Sequence, residues 1–439
     1  LNDVEVNQRI ELHISDAEQT SADLVKLKTP DLMEEVDPQS VGIGFTHTEN
    51  EFDDFAKEIL LPHRQSTLGP PLAVADVNGD GLDDFYIGGA HLQLGGLYIQ
   101  KPNGRFQRVK EGAPTDQLDL YHEDQGATFF DADGNGTPDL FIVSGGGEMS
   151  EGDPVLSDRF YINASSEAEG VRFFKVNALD TMFTAGNVVR AGDLTGDGRM
   201  ELFIGGAARP GTYPYPERSY ILQLVGNAYV DITEKVNPDL LKPGIVKDAV
   251  WTDINGDDAQ DLVIVGEWMP VRAFINDGEG NLSEKSDELG LSDTEGWWYS
   301  VSASDLDGDG REDLIVGNVG LNTKFSASPK KPFHVFADDF DQNGVVDIVL
   351  SKEYEGKLVP ARGRECSSDQ MPFIKEKFPT YEDFALAELN DIYGDDKLES
   401  ALHEQVKTFS STVFMNRPDG FEAQPLPNLA QISPIMGIE

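Results

Sequence analysis

The sequence predicts an all-β fold in which four-stranded antiparallel units repeat radially, a β-propeller. Three observations predict it. A nine-residue acidic loop occurs six times in the 439-residue chain. A short apolar run of strand character stands on each side of every copy. Turns such as Asn103-Gly104 then separate further runs of the same kind, which is a hairpin signal. One unit therefore reads strand, loop, strand, connection, strand, turn, strand, and radial repetition of such units leaves only short sheet edges.

The loops come first, because they set the register of everything else. Positions 1, 3, 5 and 9 are Asp76, Asn78, Asp80 and Asp84 in the first copy and Asp131, Asp133, Asn135 and Asp139 in the second. They are Asp193, Thr195, Asp197 and Glu201 in the third, and Asp253, Asn255, Asp257 and Asp261 in the fourth. The fifth has Asp305, Asp307, Asp309 and Asp313, and the sixth Asp339, Asp341, Asn343 and Asp347. Oxygen groups at these spacings suit a hard cation, with a backbone carbonyl added from position 7. The side chain at position 7 is then free to vary, as Leu82, Thr137, Arg199, Ala259, Arg311 and Val345 do. Gly at position 6 allows the sharp turn in five copies, and Asp258 must take a left-handed backbone in the fourth. One such turn alone would read as a solvated loop. Six in the same strand context point to about six Ca2+ sites. An EF-hand is excluded, because position 12 is apolar in every copy (Ile87, Ile142, Ile204, Ile264, Val316, Leu350) where an EF-hand needs Glu.

The strands follow. Pro71 to Ala75 and Trp298 to Ser302 are examples before a loop, and Asp84 to Gly88 and Asp261 to Val265 after one. Loop starts are 55, 62, 60, 52 and 34 residues apart. The first four gaps hold one four-stranded unit each, and the last is short. Residues about 373–407 carry apolar positions three and four apart, as in Tyr381 to Leu389 and Lys397 to His403, and predict a small helical insertion. A hairpin returns at about 411–426, and Ile432 to Glu439 reads as the first strand of another unit.

These residues resemble the FG-GAP or VCBS-type repeat of integrin-alpha-like propellers, over about residues 70–350, with a trailing Gly-Gly-Ala at Gly88 to Ala90 and Gly205 to Ala207. The resemblance implies a seven-bladed propeller with calcium in the hairpin between the first two strands of a blade. Copy three departs from it at Thr195 and Glu201. Val41 to His47 through His63, and Arg362 to Cys366 through Thr380, are similar to the lead-in and the insertion of propeller domains in large bacterial secreted or outer-membrane-associated proteins with ASPIC-type domains. By that resemblance residues 1–40 are the tail of a preceding β-domain or a linker, and 41–439 are the propeller. The expected location is extracellular or cell-surface, within a longer multidomain chain.

Composition excludes some classes. The formal net charge is −45, from 79 acidic and 34 basic residues. That charge speaks against nucleic acid and anionic membrane partners. A solvated acidic surface is the bland reading, and nineteen carboxylates gathered at the loop positions are the sharper one. No apolar run of 18 residues exists, so direct membrane insertion through a helix is not expected. The single cysteine, Cys366, allows no internal disulfide and reads as a buried structural thiol. Asn163 and Asn281 head glycosylation sequons.

The face opposite the metal hairpins is the candidate ligand face. It would hold His63, His122, Glu123, Trp268, Trp297 and Trp298, with Arg362 and Arg364 joining it from the insertion. Exposed aromatics beside polar groups suit sugar or peptide recognition. Core or inter-blade packing is the stronger reading for Trp268 and Trp298. Glu123 with His122 could form an acid–base pair, but adjacency alone is a weak signal. The leading expectation is a noncatalytic interaction module for a protein or glycan. The alternative is a polysaccharide lyase or hydrolase with its site in the funnel, which a His, Tyr or Arg cluster there would favour.

Overall fold

The computed structural model describes residues 34–166, 170–179, 182–226 and 228–438. The expected tail at 1–40 lies almost wholly outside the described residues. The architecture is all-β and propeller-like, with a few short helices.

Five sheets share one plan. The first holds β1 (Leu72–Ala75), β2 (Asp84–Ile87), β3 (Gly96–Gln100) and β4 (Phe106–Arg108) in that order. The second holds β5 (Asp124–Phe130), β6 (Asp139–Ser144), β7 (Arg159–Asn163) and β8 (Phe173–Val176). The third is β9 (Gly186–Gly192), β10 (Glu201–Gly206), β11 (Tyr220–Val225) and β12 (Ala228–Asp231). The fourth is β13 (Ile245–Thr252), β14 (Asp261–Met269), β15 (Arg272–Asn276) and β16 (Leu282–Glu284), and the end of β14 also pairs with the first strand of the fifth. The fifth begins with β17 (Gly296–Ser304) and β18 (Asp313–Asn318). The inner strands β1, β5, β9, β13 and β17 lie side by side in chain order and line a central channel.

Period-two alternation holds the arc together. The second strands of the second, third and fourth sheets are buried on both sides, between the sheets before and after them. Leu140 and Ile142 of β6 pack toward the first sheet, with Ala73, Tyr86 and Leu97. Phe141 and Val143 face the third, with Val189, Leu202 and Ile204. In β14, Leu262 and Ile264 meet Phe203 and Ile221, while Val263 and Val265 meet Leu314 and Val316. Each such side chain contributes about 1.5–3 kcal/mol by leaving water. The Gly-Gly-Ala motif has a packing cause. A Cβ on Gly205 would lie 2.6 Å from Val246 of the next inner strand, and one on Gly88 2.7 Å from Asp124. Gly317 repeats the pattern, but its neighbour is Ile435, whose carbonyl accepts from Ser300 Oγ at 2.8 Å. Residues around 435 thus lie against β17 and β18 as the inner strand of a following sheet would.

The insertion is larger than the helical stretch expected at 373–407. The fifth sheet is interrupted after β18 and resumes only at β23 (Thr412–Arg417) and β24 (Gly420–Pro425), with Leu314 opposite Phe414. Between them stands a complete second sheet of order β21-β20-β19-β22, from β19 (Phe333–Asp338), β20 (Asp347–Tyr354), β21 (Lys357–Pro360) and β22 (Leu402–Val406). The sixth loop belongs to this inserted sheet, which explains the 34-residue gap. Five short helices between Arg364 and Ser400 bury Met371, Ile374, Phe384 and Ile392 against its outer side. His403, placed by periodicity at a helix end, is in strand β22.

The inserted sheet sits on the third to fifth sheets of the arc. Phe333, Val335, Ile348, Leu350 and Val406 pack on Tyr213, Ile245, Trp268 and Trp297. Trp268 and Trp297 meet edge to face with centroids 5.0 Å apart. Trp268 adopts φ 61° at a bulge in β14, a left-handed backbone that costs a bulky residue on the order of 1–2 kcal/mol.

Candidate metal centre

All six acidic loops close the tips of antiparallel hairpins, and position 9 is always the first residue of the second strand. The last cross-strand pair before each turn is Ala75 with Asp84, Phe130 with Asp139, Gly192 with Glu201, Thr252 with Asp261, Ser304 with Asp313 or Asp338 with Asp347. The position 1 carboxylate organises the turn. Asp76 accepts from the backbone N–H of Gly79 at 2.8 Å, Asp80 at 3.1 Å and Gly81 at 2.8 Å. Asp131, Asp253 and Asp305 repeat all three bonds. Asp193 and Asp339 repeat those from positions 5 and 6.

Such wrapping requires left-handed backbone at two positions rather than one. Position 6 has φ 81° at Gly81 and 68° at Asp258, the substitute expected to bear it. Position 4 is also left-handed, as at Gly79 (φ 75°), and in the sixth loop Gln342 takes it at φ 62°.

Position 9 is buried in every copy, from 0% exposed at Asp84 to 1% at Asp347. Asp84 accepts from Val77 N at 3.2 Å and from Gln100 N, on the third strand, at 2.8 Å. Asp139, Asp261 and Asp313 are held in the same way. Burial pushes Asp84, Asp139 and Asp261 up to about 6 and Asp347 up to about 7, and neighbouring loop carboxylates add to the rise. A bound cation reverses that balance by favouring the charged form.

The donor set fits a hard cation. Carboxylate oxygens of Asp131, Asp133 and Asp139 lie within 4.8 Å of one another, as do those of Asp305, Asp307 and Asp313 and of Asp339, Asp341 and Asp347. At position 3, Asp341 Oδ1 and Thr195 Oγ1 are buried without a hydrogen-bond partner. Thr195, the departure that weakened the third copy in sequence, therefore still offers a free oxygen. In the fifth loop Arg417 pairs with Asp307 at 2.5 Å and Arg311 with Asp309 at 2.6 Å.

Three asparagines that sequence reasoning missed tie the loops of adjacent sheets together. Asn163 Nδ2 donates at 2.9 Å to the carbonyls of Pro138 in its own sheet and Val77 in the preceding loop. Asn276 donates likewise to Leu194 O and Gln260 O, and Asn416 to Ile254 O and Glu312 O. The signal was present as an aromatic-apolar-Asn pattern ending the third strand: Tyr161 to Asn163, Phe274 to Asn276, Phe414 to Asn416. Asn163, read as the head of a sequon, is fully buried.

The candidate ligand face divides. Trp268, Trp297 and Trp298 are at most 3% exposed, so they present no surface, and the core reading of Trp268 and Trp298 applies. His122 is buried against Ser144 Oγ at 3.1 Å, and burial with nearby Arg159 lowers its pKa to about 4. It is not bonded to Glu123, which burial raises to about 8 with Glu49, Glu148 and Asp124 adding. Arg364 donates to Phe378 O at 2.7 Å and holds helices of the insertion together. Cys366 is exposed, contrary to the buried thiol expected. His63 and Arg362 remain near the mouth of the channel. His63 and Lys247 reach Glu267 at 3.0 and 2.9 Å, and Tyr213 donates to it at 2.8 Å. Although Glu267 is fully buried, His63 and Lys247 beside it hold its carboxyl well below the usual range.

Hairpin-borne acidic loops in repeated four-stranded sheets define a class of repeat protein. The chain carries FG-GAP-like repeats, matched at residues 76–142 and 253–316. No curated protein sequence matches it. Among solved structures it is similar to Sqt1 from Chaetomium thermophilum, at 12% identity and TM-score 0.37, over 86% of this chain and 76% of that one. It is also similar to BBS1N, crystallised with ARL6DN, at 14% identity and TM-score 0.35 over 67% and 80%. The V. cholerae biofilm matrix protein Bap1 aligns at 15% identity and TM-score 0.30 over 65% of this chain, which spans 38% of Bap1.

Proposed function

We propose that the chain is a calcium-stabilised extracellular interaction module that binds a protein or glycan on the face away from its metal hairpins. The observation that carries it is the sixfold acidic turn with a buried position 9 carboxylate, an arrangement whose charge calls for a cation. A bacterial cell-surface setting, a longer chain with ASPIC-type domains and a full ring of seven sheets, of which five stand in the described arc, belong to the same reading.

The ligand surface we assign is the channel mouth, a cavity of about 480 Å³ lined by His63, Arg64, Tyr299, Lys324 and Phe325. Lys324 lies 5.1 Å and Arg362 6.0 Å from the Phe325 ring. A cationic rim around an aromatic, in a chain of net charge −45, favours an anionic group on the ligand. The cluster of His63, Lys247, Glu267 and Tyr299 beside the mouth supports the second reading, a polysaccharide-degrading enzyme. An array of uronic-acid, sulfated and neutral glycans, paired with a reducing-end assay, separates the two. The binding reading expects retention of anionic glycans, lost in Phe325→Ala and Lys324→Glu, with no new reducing ends. Product formation sinks the purely binding reading.

A further inference from the structure

A second cluster of ligating groups lies outside the repeat loops. It is assembled by the segment that precedes β1. Gln93 clasps that segment, accepting from Thr48 N at 3.0 Å and donating to Thr46 O at 2.8 Å. His47 and Glu49 are thereby brought to Glu123, immediately before β5. One ligand atom from each of the three lies within 4.8 Å of the others. Asn50 extends the cluster by donating to Glu148 at 3.1 Å. Strand β5 separates this cluster from the loop at Asp131, roughly 20 Å away at about 3.3 Å per residue.

Charge and hydrogen bonding are both left unsettled here. Among the described residues no lysine or arginine pairs with Glu49, Glu123 or Glu148. Glu123 is 2% exposed; its Oε2 accepts from His91 N at 2.6 Å, while its Oε1 meets Gln125 Nε2 only at 3.5 Å. His47 Nδ1, Glu49 Oε2 and Asn50 Oδ1 are buried with no hydrogen-bond partner. Buried carboxylates call for a proton, an opposite charge or a metal. Three orphaned donor or acceptor atoms beside three carboxylates are the arrangement an ion would complete.

We infer that His47, Glu49 and Glu123, with Asn50 and Glu148 beside them, bind one divalent transition cation of the zinc or manganese kind. Imidazole with carboxylates distinguishes this site from the all-oxygen loops, which suit calcium. The ion would fasten the lead-in segment to the first two sheets, next to the residues that open toward the channel. No part of this inference needs the proposed ligand surface.

The test is calorimetric titration of the described protein with Zn2+ and with Mn2+ in millimolar Ca2+, which saturates the loops. One equivalent should bind the wild type, at least tenfold more weakly after His47→Gln or Glu123→Gln, and unchanged after Glu111→Gln, an exposed carboxylate outside both clusters. The melting temperature of the wild type should rise with the metal and that of His47→Gln should not. Glu49→Gln is a milder variant should Glu123→Gln fail to fold. Absence of saturable binding in the presence of calcium, or binding unaffected by His47→Gln and Glu49→Gln, overturns the site. A metal-free His47 that merely neutralises Glu49, to which its Nε2 lies at 2.8 Å, gives the first of those results.

Discussion

The fifth and sixth acidic loops follow the same nine-residue pattern 34 residues apart, yet they are supported differently. In the fifth, Asp313 accepts from Asn416 N at 2.7 Å, and Asn416 Nδ2 reaches across to Ile254 O of the fourth loop at 2.9 Å. The loop is thus stitched both to its third strand and to the neighbouring sheet. In the sixth, Asp347 accepts from Phe340 N at 2.9 Å, and no third-strand asparagine stands beside it. The carbonyl at position 2, Phe340 O, accepts instead from the Lys397 ammonium of the helical insertion. The contrast teaches that the pattern encodes the acidic turn and leaves open which sheet carries it and what braces it.

The comparison can be broken from either side. Asn416→Ala should cost about 2–4 kcal/mol, because it strands the buried carbonyl of Ile254 and the part-buried one of Glu312 and loosens the return of β23. Lys397→Met should cost on the order of 1 kcal/mol, since a single part-buried donor is replaced and local water can serve Phe340 O. Urea unfolding of both variants in calcium checks the order, and equal costs would erase the distinction.

A pH series sharpens it. Position 9 carboxylates whose folded pKa is raised destabilise the metal-free fold while charged. Stability without metal should therefore rise as pH falls from 8 through about 7 and 6, where Asp347 and then Asp84, Asp139 and Asp261 take up protons. In saturating calcium the rise should vanish, because protons then compete with the ion. Melts at pH 8, 7 and 6 with and without chelator read this directly. The smallest effects belong to backbone. Gln342→Gly and Asp258→Gly should each add up to about 1 kcal/mol by relieving a left-handed residue, offset in part by glycine's unfolded entropy.

Much of this was legible in the sequence. The acidic turns and the strands around them were, because the turn's wrapping fixes residue spacing locally and β-strands announce themselves over four to six residues. The identity of the sheet holding the sixth loop was not. β19 and β20 look locally like any first hairpin, and only the pairing of Leu314 with Phe414, about a hundred residues apart, reveals that the fifth sheet was interrupted. Trp297 was misjudged as ligand-face surface for the same reason: the sheet that buries it, together with Trp268, arrives from that insertion. His47, Glu49 and Glu123 carry no local pattern, since the fold alone brings them together.

The central claim is that calcium in the hairpin loops holds the fold. Calorimetric melting in millimolar Ca2+ and in EGTA, with bound calcium counted by titration, tests it most directly. Each loop at a hundredfold excess over its Kd would add about 2.7 kcal/mol. The account predicts about six bound ions and a markedly lower melting temperature in EGTA. An unchanged melt, with no calcium bound, contradicts it.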